Sequence, residues 1–172
     1  RGQRRDWQSI KQRREEQQSL FERLLPFALA LGTPGITISP GIQHSDGEDH
    51  SLARSIPSLL HIAQAAEDTD LRLSFEAHLD SSVTKPDQVL LIVEAIPGLS
   101  LTLDYAHFIA QGFALNELTS LLSHTAHVHI RQAVKGRLQT PFQQGRIELN
   151  ELMSDLQDAD YHGALSIEYT DT

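Results

Sequence analysis

The stretch LSLTLDYAH, residues 99–107, decides how this chain is read. A short run of β-branched and apolar residues closes on Asp104 and gives way to polar, turn-like sequence. Three other stretches end the same way: LRLSFEAH (71–78) reaches Glu76, AHVHIRQ (126–132) reaches His129, and ALSIEYTD (164–171) reaches Glu168. Each reads as a strand that delivers one metal-grade side chain at its C-terminal end. Four separate strands would then bring ligands to one rim.

Between these runs the pattern turns helical. Residues 7–31 carry Ile10, Leu20, Leu24, Leu25 and Phe27 at three-to-four spacing, with Gly32 placed to stop a helix. PGITIS (34–39) reads as a short strand running into the polar loop PGIQHSDGEDH (40–50). A helix from about Ser51 to Glu67 presents Leu52, Ile56, Leu59, Leu60 and Ile62 on its apolar face. Pro86 opens the next helix, PDQVLLIVEAI (86–96), at its favoured first-turn position. A further helix is expected around ALNELTSLLS (114–123), and a last one at IELNELMSDLQ (147–157) after the loop KGRLQTPFQQGR (135–146).

Five strands alternating with helices indicate a parallel sheet flanked by helices. No GxGxxG fingerprint and no Walker lysine loop occurs, which removes the usual reason to prefer an open nucleotide-binding sheet. A barrel gathers the C-terminal ends of its strands around one mouth, where the ligand-type residues of this chain fall. Eight βα units need roughly 200–250 residues. The expectation is therefore one α/β domain over 1–172, the C-terminal part of an N-terminally incomplete (β/α)8 TIM barrel. About five C-terminal βα units would be present, with the first three strands outside this sequence.

Composition narrows the function classes. With 14 Lys and Arg against 23 Asp and Glu the net charge is -9, which argues against a nucleic-acid or anionic-membrane partner, since those require clustered cations. The one basic stretch, RGQRRDWQSIKQRREE (1–16), reads as the solvated face of a helix and is given no function. The absence of cysteine excludes disulfides, thiolate catalysis and thiol-based zinc sites. The longest apolar run, LLPFALALG (24–32), is too short to span a bilayer. A cytoplasmic location is the expectation, although a cysteine-free chain suits the periplasm equally. A homo-oligomer is compatible with the sequence.

Glu76, Asp104, His129 and Glu168 make a set of oxygen ligands with one nitrogen. Such a set favours Mn²⁺ or Mg²⁺, with Co²⁺ or Zn²⁺ as alternatives. Each residue alone has a plain structural explanation: a strand-end acid for either Glu, an N-cap for Asp104, a satisfied core histidine for His129. Four in register at four strand ends point instead to one shared divalent ion.

From Gly32 to the C-terminus the chain resembles the xylose isomerase-like TIM barrels, which include sugar phosphate isomerases/epimerases and the AP endonuclease family 2 or endonuclease IV enzymes. The resemblance is carried by the Glu of FEAH, the Asp and His of DYAHF, the second His of HVH, the stretch QGRIELNELM and the Glu of YHGALSIEY. It implies Glu76, Asp104, His129 and Glu168 as ligands of one divalent ion, with Glu76 and Glu168 also exchanging protons with a small carbohydrate substrate. The activity implied is a metal-dependent sugar, sugar phosphate or polyol isomerase or epimerase. Carboxylates would move the carbon-bound proton through a metal-stabilised enediolate. His107 resembles the family histidine that touches a substrate oxygen. Arg131, which keeps the inward parity of His127 and His129, is placed to bind a hydroxyl, carboxylate or phosphate, with Lys135 and Arg137 as alternatives. His44, His78 and His127 are read as structural.

Three other readings accompany this one: a keto-inositol-type dehydratase, which begins with the same proton abstraction; an endonuclease IV-like phosphodiesterase; and a non-catalytic barrel fragment. The phosphodiesterase branch adds an Asp-x-His pair after the seventh strand. Here the corresponding loop KGRLQTPFQQGR offers neither residue.

Overall fold

The computed structural model describes residues 2–169, with side chains described from residue 11 onward. Five parallel strands lie in sequence order across one sheet: β1 Gly35–Ile38, β2 Arg72–Glu76, β3 Leu99–Asp104, β4 Thr125–Ile130 and β5 Ala164–Ile167. Helices α1 (Gly2–Ala30), α2 (Glu48–Ala66), α3 (Pro86–Ala95), α4 (Tyr105–Gln111) and α5 (Leu149–Asp158) occupy the connections. The result is a half-barrel, the partial (β/α)8 fold expected from the alternation of strands and helices.

Strand parity divides the sheet into two chemistries. Leu73 and Phe75 of β2, Leu101 and Leu103 of β3 and Val128 of β4 are buried and join Val89 and Ile92 of α3, Ile96, and Leu152 of α5 in one core. Residues of the opposite parity are polar. Thr37, Ser74 and Thr102 form a triangle of hydroxyls, with Thr102 Oγ1 at 2.8 Å from Thr37 Oγ1 and 2.7 Å from Ser74 Oγ. His127 Nε2 meets Ser166 Oγ at 2.8 Å. Continuing that face to the strand ends brings up Glu76, Asp104, His129 and Glu168, because a parallel pleat repeats every two residues.

Two helical expectations need correction. Residues 114–123 do not form an α-helix but two 3₁₀ turns, Leu115–Glu117 and Thr119–His124. The buried residues Leu115, Leu118 and Leu121 recur every three positions, the period of a 3₁₀ turn. Thr119 Oγ1 and Ser123 Oγ also donate to the carbonyls three residues back, at 3.1 and 3.4 Å. Helix α4, conversely, starts directly at the end of β3. Asp104 caps it by accepting from the Ala106 amide at 2.8 Å, and Gly112 ends it in the left-handed region at φ 101°.

The core face of α1 also differs from expectation. Phe21, Leu25 and Ala28 pack inward, while Leu20, Leu24 and Phe27 lie on an exposed stripe that runs on to Leu31. Ile10 falls outside the residues whose side chains are described. In α2, Leu52, Leu59 and Ile62 are buried, Ile56 is half-buried and Leu60 is exposed.

Phe75 is fully buried at the centre of β2, one residue before Glu76. Phe75→Ala should therefore cost about 3–5 kcal/mol of stability, read from chemical denaturation of the full-length protein. A loss under about 1 kcal/mol would place the core elsewhere.

Candidate metal and acid–base site

The ladder explains how distant residues converge. Asp104 and His129 are register partners, Glu76 pairs with Thr102 two residues before Asp104, and Ser166, two residues before Glu168, pairs with His129. Glu168 lies one residue beyond β5, yet its amide still donates to the Ile130 carbonyl at 3.0 Å. One ligand atom from each of Glu76, Asp104, His129 and Glu168 lies within 4.8 Å of the others, the one such group found among the described residues.

Asp104 divides its two oxygens. Oδ1 caps α4, while Oδ2 faces the site and is contacted by Arg131 Nη2. The N-cap explanation for this residue is thus correct without competing with the other, since the cap fixes the carboxylate and leaves one oxygen for the site. His107, one turn into α4, brings Nε2 to 3.5 Å from Glu76 Oε1 and 3.7 Å from Asp104 Oδ2. Arg131 reaches within 3.8 Å of Glu168 Oε2. All six residues singled out from the sequence therefore meet.

Lys135 and Arg137 do not join them, being exposed on the loop beyond β4. His44 lines a different cleft, with Gln43, Ser45, Gly47 and Asp80. His78 hydrogen-bonds within its loop, and the His127 ring stands edge-on to His129 at 4.9 Å, beneath the site.

Three residues escaped the sequence reading. Gln132, only 4% exposed, spans to the Ile147 peptide with Nε2 donating to O at 2.8 Å and Oε1 accepting from N at 3.0 Å. Gly145 makes this crossing feasible, because a Cβ there would fall on the Gln132 side chain. The Gln132 amide donates to Tyr169 Oη at 2.9 Å, and Ser39 Oγ lies 3.1 Å from His78 Nε2. The Gln132 contacts tie down the chain beside Arg131 and Glu168, and the Ser39 contact joins the end of β1 to the loop after β2. Only the inward parity of Ser39, continuing from Thr37, could have signalled any of them.

The site's electrostatics suit a cation. Three carboxylates face one guanidinium, which leaves two negative charges uncompensated, the charge a divalent ion carries. His129 Nδ1 and Glu168 Oε2 approach to 2.7 Å without hydrogen-bond geometry, and both are buried with no hydrogen-bond partner. Such orphaned atoms are costly unless something between them accepts both lone pairs. The donor set fits a divalent ion, which Glu76, Asp104, His129 and Glu168 could hold.

Protonation follows the same arrangement. Burial alone would raise the Glu76 carboxyl, but the His107 and His129 rings overcome it and hold Glu76 well below the usual carboxylate range. Burial raises Asp104, and Arg131, His107 and the Ala106 amide offset only part of that. Glu76 raises His129 against the opposing effect of burial, with Glu168 and Asp104 adding to it.

The family model of the xylose isomerase-like TIM barrel matches residues 5–172. The chain belongs to that family. Among solved structures it resembles the 3-keto-D-glucoside 4-epimerase of E. coli, with TM-score 0.73 and 17% identity over 90% of this chain and 64% of that one. It also resembles the AP endonuclease, family 2, of Brucella melitensis, with TM-score 0.76 and 17% identity over 91% of this chain and 63% of that one. A third is the IOLI protein with a zinc atom, with TM-score 0.71 and 22% identity over 87% of this chain and 59% of that one. The chain thus spans less than two thirds of each. No curated protein sequence matches it. At these identities the likeness is one of fold. No helix among the described residues is long and apolar enough to cross a membrane.

For this member of the xylose isomerase-like family, an ion at the site must displace the proton that Glu76 favours on His129. Mn²⁺ affinity should fall about tenfold per pH unit below the raised His129 pKa and level off above it. Without the ion the sign is opposite: the raised pKa adds stability below the ordinary value of 6.5 and loses it as pH rises through the shifted one. Calorimetric titration of the full-length protein from about pH 5 to 8 checks the first trend. Asp104→Asn should weaken binding roughly tenfold or more. A pH-independent affinity, or one untouched by Asp104→Asn, would contradict the assignment.

Proposed function

We propose that this chain carries the catalytic rim of a metal-dependent isomerase or epimerase acting on a sugar, sugar phosphate or related polyol. The observation that carries the reading is the convergence of Glu76 and Glu168 on the same imidazole from strands three ladders apart. Glu76 Oε1 and Glu168 Oε2 lie 3.7 and 2.7 Å from His129 Nδ1, so the two acids flank one small volume. A divalent ion held there would polarise a substrate carbonyl and its neighbouring hydroxyl and so favour loss of the carbon-bound proton.

The residues supply the rest. Glu76, kept ionised by His107 and His129, is in the carboxylate form that accepting a proton from carbon requires. Glu168, more exposed at 38%, is suited to return one from the other side, the arrangement epimerisation needs. A single carboxylate shuttling the proton would instead interconvert aldose and ketose. Arg131, 7% exposed, can bind a substrate oxygen or anionic group at the mouth while neutralising Asp104. Asp104 orients both Arg131 and the first turn of α4, from which His107 projects.

In the same proposal the chain forms the C-terminal five βα units of a larger barrel. Strands β1 and β5 each pair on one side only, and Leu165, Ile167 and the α1 stripe Leu20, Leu24, Phe27 and Leu31 are exposed. Three further βα units would cover that surface.

The test is exchange at carbon. Full-length protein with Mn²⁺, incubated with a panel of ketoses and their phosphates in D₂O, should incorporate deuterium beside the carbonyl of at least one. Glu76→Gln and Glu168→Gln should each slow exchange by about 10²–10⁴-fold. Exchange that survives in both variants would overturn the reading, as would cleavage of an abasic-site oligonucleotide with no ketose exchanged.

A further inference from the structure

We propose that the cavity between the first half of α1, the end of β1 and α2 binds the phosphate monoester of a small molecule, gripped by Arg13 and Arg14. The cavity measures about 720 Å³, within the range of small-molecule sites. Four of the chain's 14 Lys and Arg line it, and none of its 23 Asp and Glu does. In a protein of net charge -9, that separation of signs marks a place for an anion.

The sequence of α1 explains why cations face inward here. Phe21, Leu25 and Ala28 are its buried positions, and the same three-to-four spacing carried back toward the N-terminus falls on Gln18, Arg14 and Lys11. Arg14 and Gln18 are accordingly half-buried while Arg13, Glu15, Gln17 and Ser19 are exposed. The stripe that packs the helix against the core thus turns basic where it passes Ser39 and α2.

Two of the four cations already have carboxylates. Arg54 holds Asp46 with both terminal nitrogens, and Lys11 lies 3.5 Å from Glu15. Arg13 and Arg14 form no ion pair among the described residues, so two guanidinium charges line the cavity uncompensated. A phosphate monoester carries about -1.5 to -2 at pH 7, which matches them, and guanidinium forks suit its oxygens.

The walls are preformed. Ser51 Oγ donates to the Gly47 carbonyl at 2.9 Å and accepts from the His44 amide at 2.8 Å, while Ser55 Oγ lies 2.7 Å from Ser82 Oγ. Ser58 is half-buried and makes no hydrogen bond among the described residues, which leaves its hydroxyl for a ligand. Leu59 and Ile62, 1% and 9% exposed, give the cavity an apolar patch that suits a phosphate carried on a carbon skeleton.

The cavity adjoins the metal site. Ser39 Oγ on its wall lies 3.1 Å from His78 Nε2, the His78 and His107 rings are 5.7 Å apart, and His107 Nε2 is 3.5 Å from Glu76 Oε1. The ester is either the phosphate end of the sugar turned over at the metal centre or a separate phosphate ester held beside it. Only the first source rests on the isomerase reading.

The experiment is ³¹P NMR line broadening of inorganic phosphate by metal-free, full-length protein in about 0.15 M NaCl, which screens diffuse attraction. Wild type should bind, and Arg13→Gln/Arg14→Gln should weaken binding about tenfold or more. Ser58→Asp, which sets a carboxylate on the opposite wall, should weaken it as well, so the test does not hang on one variant. Arg131→Gln should keep it. Absence of binding in wild type, binding untouched by both cavity variants, or binding abolished by Arg131→Gln would overturn the proposal. So would an oligonucleotide that binds the same arginines more tightly than phosphate does. Phosphate that raises the KM of an exchanged ketose phosphate in wild type, but not in Arg13→Gln/Arg14→Gln, assigns the cavity to the substrate's own phosphate. Phosphate that binds without changing that KM assigns it to a separate ester. The binding measurements need neither metal nor turnover, so a failed exchange assay would refute the isomerase reading and leave this one standing.

Discussion

Carboxylates brought close together in a largely buried site repel unless a cation joins them, and this constraint organises the rim of the half-barrel. Three acids and an imidazole place ligand atoms within 4.8 Å of one another. One guanidinium, that of Arg131, is too little positive charge for three carboxylates. The architecture beneath serves to keep the like charges together. The parallel ladder sets Asp104 opposite His129, the α4 cap fixes one oxygen of Asp104, and the Gln132–Ile147 clasp anchors the chain beside Arg131.

The division of the sheet into an apolar outer face and a polar inner face accounts for both stability and chemistry. Residues of one parity, such as Phe75 and Leu101, supply the buried core against the helices. Residues of the other supply a hydroxyl layer of Thr37, Ser74 and Thr102 and, one step further along, the charged rim. A register slip of a single residue in any of these strands would exchange the two. Folding and function therefore depend on the same pairing.

The convergence of Glu76, Asp104, His129 and Glu168 was legible because each closes a short alternating run, where the change from apolar to polar marks the end of the strand. The parity of Arg131 was legible for the same reason. Helix α4 was not, because Tyr105 to Ala110 are buried on every side and show no amphipathic period. The segment 114–123 misled because leucines three apart suit a 3₁₀ turn while still passing for an α-helical face. Nothing in sequence announces that the Leu79 peptide meets His107 or that Gln132 reaches Ile147, since one partner in each case is backbone.

The most direct measurement of the central claim is anomalous X-ray scattering from crystals of the full-length protein grown with Mn²⁺. The account predicts one peak per chain, bonded to Glu76, Asp104, His129 and Glu168. A peak elsewhere, or a second ion, would contradict it.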